Sequence, residues 1–293
     1  MPSTHHGRKQ IELSAGPVEY EDTGEGPALV LLHGALMDPS LWADVVADLS
    51  ADYRCIVPAL PLGAHTLPVH PDADLSVNGL ATLTSEFLAA LDLRDVTLAG
   101  NDTGGAIVQA VLASGEERVG QAVLVSCDAF DNFPPGLTGK VVVFTGKLPP
   151  RLFGLFMQQM RLRALRRLPI AFGWLTKRGD AATARWIRPV LGDQAIRRDA
   201  VRMLRAMGAN KNVLTDLTEN LAAFDRPVLV AWAAEDRVMP PEHGRRLAAL
   251  LPKAQLVEIP DSYTLIPLDQ PAELARAMRE FLAQTGQGAD GGN

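Results

Sequence analysis

An aspartate stands in an unusual place in the stretch LAGNDTGGAIVQ, Leu98 to Gln109. A short apolar run ends in Gly-Asn-Asp-Thr-Gly-Gly, and a second apolar run of helical character follows. Gly100-Asn101-Asp102-Thr103-Gly104 has the spacing of a strand that turns so sharply into a helix that the residues two before and two after the tip must be small. The tip residue is held out in front of the helix N-terminus, whose dipole favours an ionised carboxylate. Asp102 is thereby placed as a nucleophile, with the Thr103 backbone N–H as one donor of an oxyanion hole. The second donor is expected in the loop after ALVLLHG, at Ala35, led in by His33 and Gly34. A carboxylate suits displacement at a saturated carbon, because it attacks to form an ester that water can then open.

With these motifs the chain resembles the α/β-hydrolase superfamily. The resemblance covers nearly the whole chain: the His33-Gly34 loop, the Asp102 elbow, a helical stretch, and the late AAEDRVMP and DSYTLIPLDQP. An aspartate at the elbow narrows it toward the haloalkane dehalogenases and epoxide hydrolases. The resemblance implies an α/β-hydrolase fold, a doubly wound and mostly parallel sheet with an inserted helical cap. It implies an alkyl-enzyme ester on Asp102, opened by a histidine-activated water, and it calls for no cofactor and no metal. The acid that orients the histidine is expected at Asp236, in AAEDRVMP, or at Asp128, in SCDAFDNFPP.

The chain departs from that pattern where the histidine should be. The family motif D-x-G-H-F-P-x-x-E-x-P aligns without a gap on Asp261 to Pro271, with Tyr263 at the glycine and Thr264 at the histidine. No histidine follows His243, which falls on a surface helix. Neither Tyr263 nor Thr264 is a base near neutral pH as imidazole is. The candidate replacement is His65 in PLGAHTLPVH, with His70 the weaker choice, because that loop lies at the carboxyl ends of the strands where ligands bind. Dehalogenases of this type commonly carry tryptophan after the nucleophile, where this chain has Thr103. Epoxide hydrolases use two cap tyrosines, whereas Tyr20, Tyr53 and Tyr263 lie outside the cap.

The leading expectation is a hydrolase-like enzyme acting at carbon on a small or medium apolar molecule. The alternatives are a lyase, isomerase or cyclase that uses Asp102 as general acid or base, or a silent ligand-binding protein. His33, Asn101, Tyr263, Thr264 and Trp174 are expected at the pocket. A nucleotide-binding reading fails because G-N-D-T-G-G is not G-x-G-x-x-G. An aspartic-protease reading of Asp-Thr-Gly lacks the second copy it requires.

Strand and helix patterns must position these groups. ALVLLH, YRCIVPAL, DVTLAG, QAVLVSC, RPVLVAWAAED and AQLVEIP read as strands, several of them apolar enough to be buried on both faces. Helical stretches lie between them, which predicts right-handed βαβ units and a parallel sheet. The alternation breaks at DNFPPG, and the chain then reads helical, with helices over Leu152–Leu168 and Ala195–Met207. The expected division is a core of residues 1–133 and 225–286, a cap of 134–224, and a disordered tail of 287–293.

The chain has 293 residues and is 47% hydrophobic and 21% charged, in keeping with a sizeable core. A net charge of −6 argues against general nucleic-acid binding. The charge is uneven: Arg151 to Lys211 holds 14 Lys+Arg and 3 Asp+Glu, leaving 14 basic and 31 acidic side chains elsewhere. Solvated helix faces explain such a stretch, and an acidic partner or anionic substrate at a basic cap is the sharper reading. Cys55 and Cys127 form no disulfide framework and have no zinc-ligand spacing. The polar N-terminus and the lack of a membrane-length apolar run make a cytoplasmic location the expectation.

Overall fold

The computed structural model describes residues 8–290. Eight strands form one sheet in the order β1-β2-β4-β3-β5-β6-β7-β8. They are β1 (Lys9–Leu13), β2 (Gly16–Thr23), β3 (Ala28–Leu32), β4 (Arg54–Pro58), β5 (Val96–Asp102), β6 (Val119–Cys127), β7 (Val228–Ala233) and β8 (Ala254–Ile259). From β4 to β8 every neighbouring pair is parallel; the β1–β2 hairpin adds antiparallel strands at one edge. β5 and β7 are buried along their whole length; β7 is an unbroken apolar run, and β5 is mostly apolar until it ends in Asn101 and Asp102 at the turn. Each fully buried Val, Leu or Ile in them contributes roughly 1.5–3 kcal/mol of transfer free energy.

The crossovers α1 (Ala43–Leu49), α2 (Val77–Ala90) and α3 (Thr103–Ala113) follow β3, β4 and β5. Ser76 caps α2 by accepting the Gly79 N–H at 3.1 Å, satisfying one of the open donors of its first turn. Between β6 and β7 the chain is helical: α4 (Gly136–Thr145), α5 (Pro150–Gln158), α6 (Arg163–Arg166), α7 (Asp180–Trp186), α8 (Arg188–Gly192), α9 (Gln194–Ala209), α10 (Val213–Asp216) and α11 (Thr218–Ala222). α12 (Pro241–Leu250), α13 (Ile266–Asp269) and α14 (Pro271–Asp290) complete the core.

Two expectations need correction. Leu152–Leu168 is not one helix: α5 ends at Gln158, a 3₁₀ turn follows, and Leu162 is extended at φ −77° and ψ 119° before α6. The break turns the Arg166 guanidinium inward, where it donates to the Met160 carbonyl and to Asp180. The tail expected to be disordered from residue 287 is helical through Asp290, and residues 291–293 lie outside the described part.

Candidate active site

β3 and β5 are neighbours, but the chain leaves β3 for β4 on the other side. The loops after β3 and β5 therefore diverge and open a crevice at the carboxyl ends of the two strands. β5 ends in that crevice at Asp102, and α3 starts at Thr103. Asp102 has φ 57° and ψ −129°, a sparsely populated conformation that costs on the order of 1–3 kcal/mol. Close approach of the β3 loop holds it. A Cβ on Gly104 would lie 2.8 Å from the His33 carbonyl oxygen, and one on Gly34 would lie 2.7 Å from the Asp102 Cβ.

Asp102 Oδ1 accepts from the Thr103 N–H at 2.7 Å, the Thr103 hydroxyl at 3.1 Å and the Ala35 N–H at 3.3 Å. Among the described residues nothing donates to Oδ2, and Asp102 lines a cavity beneath the cap. Burial pushes the Asp102 carboxyl up, while the three donors to Oδ1 favour its charge. One oxygen is fixed and the other is left to face the cavity, as a carboxylate that attacks through a single lone pair would need.

His33 stands behind this loop. Its Nε2 accepts the Leu60 N–H at 3.1 Å, so its proton is on Nδ1, which faces the Gly34 carbonyl at 3.0 Å. Burial pushes the imidazole down to about 4, which keeps it neutral near pH 7.

The cavity has a volume of about 190 Å³. That is smaller than the roughly 300–1,000 Å³ of drug-sized sites and suits a small ligand. Its walls are mostly apolar: Leu36 and Met37 from the β3 loop, Val141 to Val143 of α4, and Phe156, Met157, Met160, Phe172, Leu175, Leu204 and Met207 from the rest of the cap. Its titratable lining side chains are Asp102 and Asp128; no histidine, tyrosine, lysine or arginine lines it among the described residues. An anionic substrate drawn to a basic cap is therefore a poor match. The cap cations Lys177 and Arg178 pair with Asp261 of the core, and Arg202 pairs with Asp199.

Asp102 and Cys127 are partners across β5 and β6, so Asp128 is one residue from the elbow's neighbour. Asp128 is wholly buried, and neither carboxyl oxygen has a hydrogen-bond partner among the described residues. Its backbone carbonyl accepts from Gln109 Nε2 at 2.7 Å, which fixes the residue in place. Burial first, and the Asp102 charge second, push this carboxyl well above the usual range; the Thr103 hydroxyl lies close enough to oppose this weakly, but its single proton is directed to Asp102 Oδ1 at 3.1 Å.

At the expected histidine position, the Thr264 hydroxyl donates to Asp236 Oδ1 at 2.8 Å, and the Val238 and Met239 N–H groups donate to the same oxygen. Asp236 thus closes its own loop. Burial pushes its carboxyl up to about 6. With the folded pKa raised, the stability it contributes is complete below about pH 4, the unfolded value, and is lost as pH rises toward the folded one. Asp236→Asn keeps an acceptor for the three donors and cannot ionise. Relative to wild type, the variant is expected to gain on the order of 3 kcal/mol between about pH 4 and about pH 7. Urea unfolding at both pH values checks this; a difference that does not change with pH would show that Asp236 does not titrate there.

Other expected site residues are directed elsewhere. His65 does not line the cavity: its Nδ1 accepts the Gly63 N–H at 3.2 Å and its Nε2 lies 3.7 Å from Asp199 of α9, joining the β4 loop to the cap. His70 is half-exposed, near Glu12. His243 packs edge-on against Phe130, with ring centroids 5.8 Å apart. None of the five expected pocket side chains lines the cavity. His33 is occupied as described, and Thr264 is turned to Asp236. Asn101 Nδ2 donates to the Val125, Ser126 and Thr264 carbonyls, which ties the sheet to the Thr264 loop. The Tyr263 ring lies beneath Arg237 and Lys177, and Trp174 packs half-buried against the core. The α4 wall of the cavity has no clear apolar face in the sequence, so its lining role was not foreseen.

No helix among the described residues is long and apolar enough to cross a membrane. The chain matches the model of the alpha/beta hydrolase family over residues 29–277. It is 28% identical over 276 residues to haloalkane dehalogenase 2 of Mycobacterium tuberculosis, covering 92% of this chain and 93% of that protein. It is 29% identical over 281 residues to a non-heme chloroperoxidase of Kitasatospora aureofaciens, covering 90% and 94%. Among solved structures, a thermophilic esterase from Thermogutta terrifontis superposes with a TM-score of 0.70 at 24% identity, covering 95% of this chain and 99% of that one.

Proposed function

The chain belongs to the alpha/beta hydrolase family, and from that premise we propose that it hydrolyses a small apolar molecule through attack of Asp102 on a saturated carbon. The observation that carries this reading is the division of labour within one carboxyl group. Oδ1 accepts the Ala35 and Thr103 N–H groups, while Oδ2 has no partner among the described residues. When Oδ2 bonds to carbon, Oδ1 becomes the ester carbonyl oxygen, already seated on the two N–H groups that stabilise a tetrahedral oxyanion. A serine at the elbow would have to bring its substrate's carbonyl to those donors; an aspartate carries its own. The similarity to a haloalkane dehalogenase supports hydrolysis at carbon, and the apolar walls support a substrate with little polar surface. The helix dipole of α3 favours the charged, attacking form of Asp102.

A single turnover in ¹⁸O-labelled water tests the assignment. With enzyme in excess over a small epoxide or alkyl halide, one heavy oxygen is expected in the peptide that contains Asp102, because water opens the ester at its acyl carbon. Label found only in the alcohol product, with the Asp102 peptide unchanged, would mean that water attacks the substrate directly and that Asp102 is at most a base.

A further inference from the structure

We infer that Asp128 is the second reacting carboxyl of this site: as a neutral acid it protonates the oxygen released when Asp102 opens a strained cyclic ether, and as the resulting carboxylate it takes a proton from the water that cleaves the ester. The inference rests on the reading of Asp102 as a nucleophile and adds the proton transfers to it. Three observations carry it. Asp128 lies beside the elbow, since Asp102 pairs with Cys127 across the sheet, and both acids line the same cavity. Their surroundings are opposite: Asp102 Oδ1 has three donors, whereas the Asp128 oxygens have none from the described residues. An ionised carboxylate without a donor is costly in an apolar interior, so of two adjacent acids the unsupported one keeps the proton. The Asp128 oxygens have no protein partner among the described residues and are nearly closed off from the cavity that the residue lines, so the proton reaches a bound molecule when the carboxyl turns toward that cavity. Finally, no other lining side chain can exchange a proton near neutral pH.

The steps balance. Asp102 Oδ2 bonds to a ring carbon as the carbon–oxygen bond breaks; the oxygen keeps the electron pair and takes the Asp128 proton. A hydroxyalkyl ester and an Asp128 carboxylate result. That carboxylate removes a proton from water, and the hydroxide adds to the ester carbon, with Oδ1 held by Ala35 and Thr103. The tetrahedral centre collapses, and the departing alkoxide takes the proton of the added hydroxyl. Asp102 is again a carboxylate, Asp128 again an acid, and one water has been consumed to give a diol. One carboxyl thus supplies both proton transfers, and its charge alternates with that of Asp102, so the two are never ionised together.

The test compares styrene oxide, whose leaving oxygen needs a proton, with 1-bromobutane, whose bromide does not. Ester formation on Asp102 is followed by intact mass in wild type and Asp128→Asn. The variant is expected to react with the epoxide more slowly by about 10²–10⁴-fold, the usual contribution of general acid–base catalysis. It should react with the bromide at a rate lowered far less, since bromide takes no proton. Because bromide leaves Asp128 protonated, the butyl ester should persist in wild type as well, whereas the ester formed from the epoxide is opened readily in wild type alone. A second measurement needs no variant: in wild type, ester formation from the epoxide falls at high pH as Asp128 ionises, relative to ester formation from the bromide. An equal fall in rate for both probes in the variant, or parallel pH profiles in wild type, would overturn the role of Asp128 while leaving Asp102 as nucleophile. Turnover by wild type with no ester at Asp102 and no ¹⁸O in its peptide would instead remove the reading of Asp102, and this inference with it.

Discussion

Asp102→Asn is expected to lower turnover by roughly 10⁴–10⁶-fold, the scale seen when a nucleophile is removed from a site whose groups act as a unit. The amide oxygen can still accept the Ala35 and Thr103 N–H groups, so the local hydrogen bonds survive the change. What disappears is the negative charge on the atom facing the cavity. An amide does not displace a leaving group from saturated carbon, and it is a poor proton acceptor. The same substitution removes a carboxyl that burial pushes up and that lies beside another buried acid. The urea midpoint of the variant is therefore expected at or above that of wild type near pH 8, where the buried charge is most costly. Activity and stability should move in opposite directions. An inactive variant that is also unfolded would assign the loss to the elbow's geometry, and an active one would remove Asp102 from the chemistry.

This opposition explains why the acid was legible in the sequence while its surroundings were not. Gly100, Asp102 and Gly104 announce a tight turn because covalent spacing alone forces small residues there. The parallel strands were legible as apolar runs, since a strand covered by helices on both faces needs no polar alternation. β2, with the sequence GPVEYEDT, escaped notice: it buries one face only, and its charges read as a loop. The direction of His65 was out of reach, because the ring is held by the Gly63 N–H with its far side toward Asp199, distant along the chain in a helix of the cap. So was the isolation of Asp128. The sequence shows an acid at the end of a strand, but that no group donates to it depends on Thr103, Gln109 and the cap packing around it. The motif placed Thr264 where the family has histidine, and a loop-capping part for Asp236 could be weighed from the sequence; that Val238, Met239 and Thr264 all donate to one of its oxygens required the structure.

Gly104→Ala is expected to destabilise the protein by about 3 kcal/mol or more, because the added methyl meets main chain and no flexible side chain. Its Cβ would lie 2.8 Å from both the His33 carbonyl oxygen and the Leu32 carbonyl carbon, and closer still to the Leu32 oxygen. Those atoms belong to β3 and the start of its loop, and β3 is hydrogen-bonded in the sheet between β4 and β5. Relief requires β3 and the elbow to separate. That movement lengthens the bond from the Ala35 N–H to Asp102 Oδ1, already 3.3 Å, before it disturbs the Thr103 donor at 2.7 Å. Any folded fraction should thus form the Asp102 ester slowly and open it more slowly still. Gly192→Ala is the matching control: no heavy atom lies within 4 Å of its added Cβ, and it ends a helix. Alanine there should be neutral or stabilising by up to about 1 kcal/mol. Denaturant unfolding of the two variants measures the contrast. A Gly104→Ala protein with a wild-type midpoint and an intact rate of ester formation would show that the β3 loop does not have to approach the elbow so closely, and the origin of the Asp102 geometry would then lie in α3 alone.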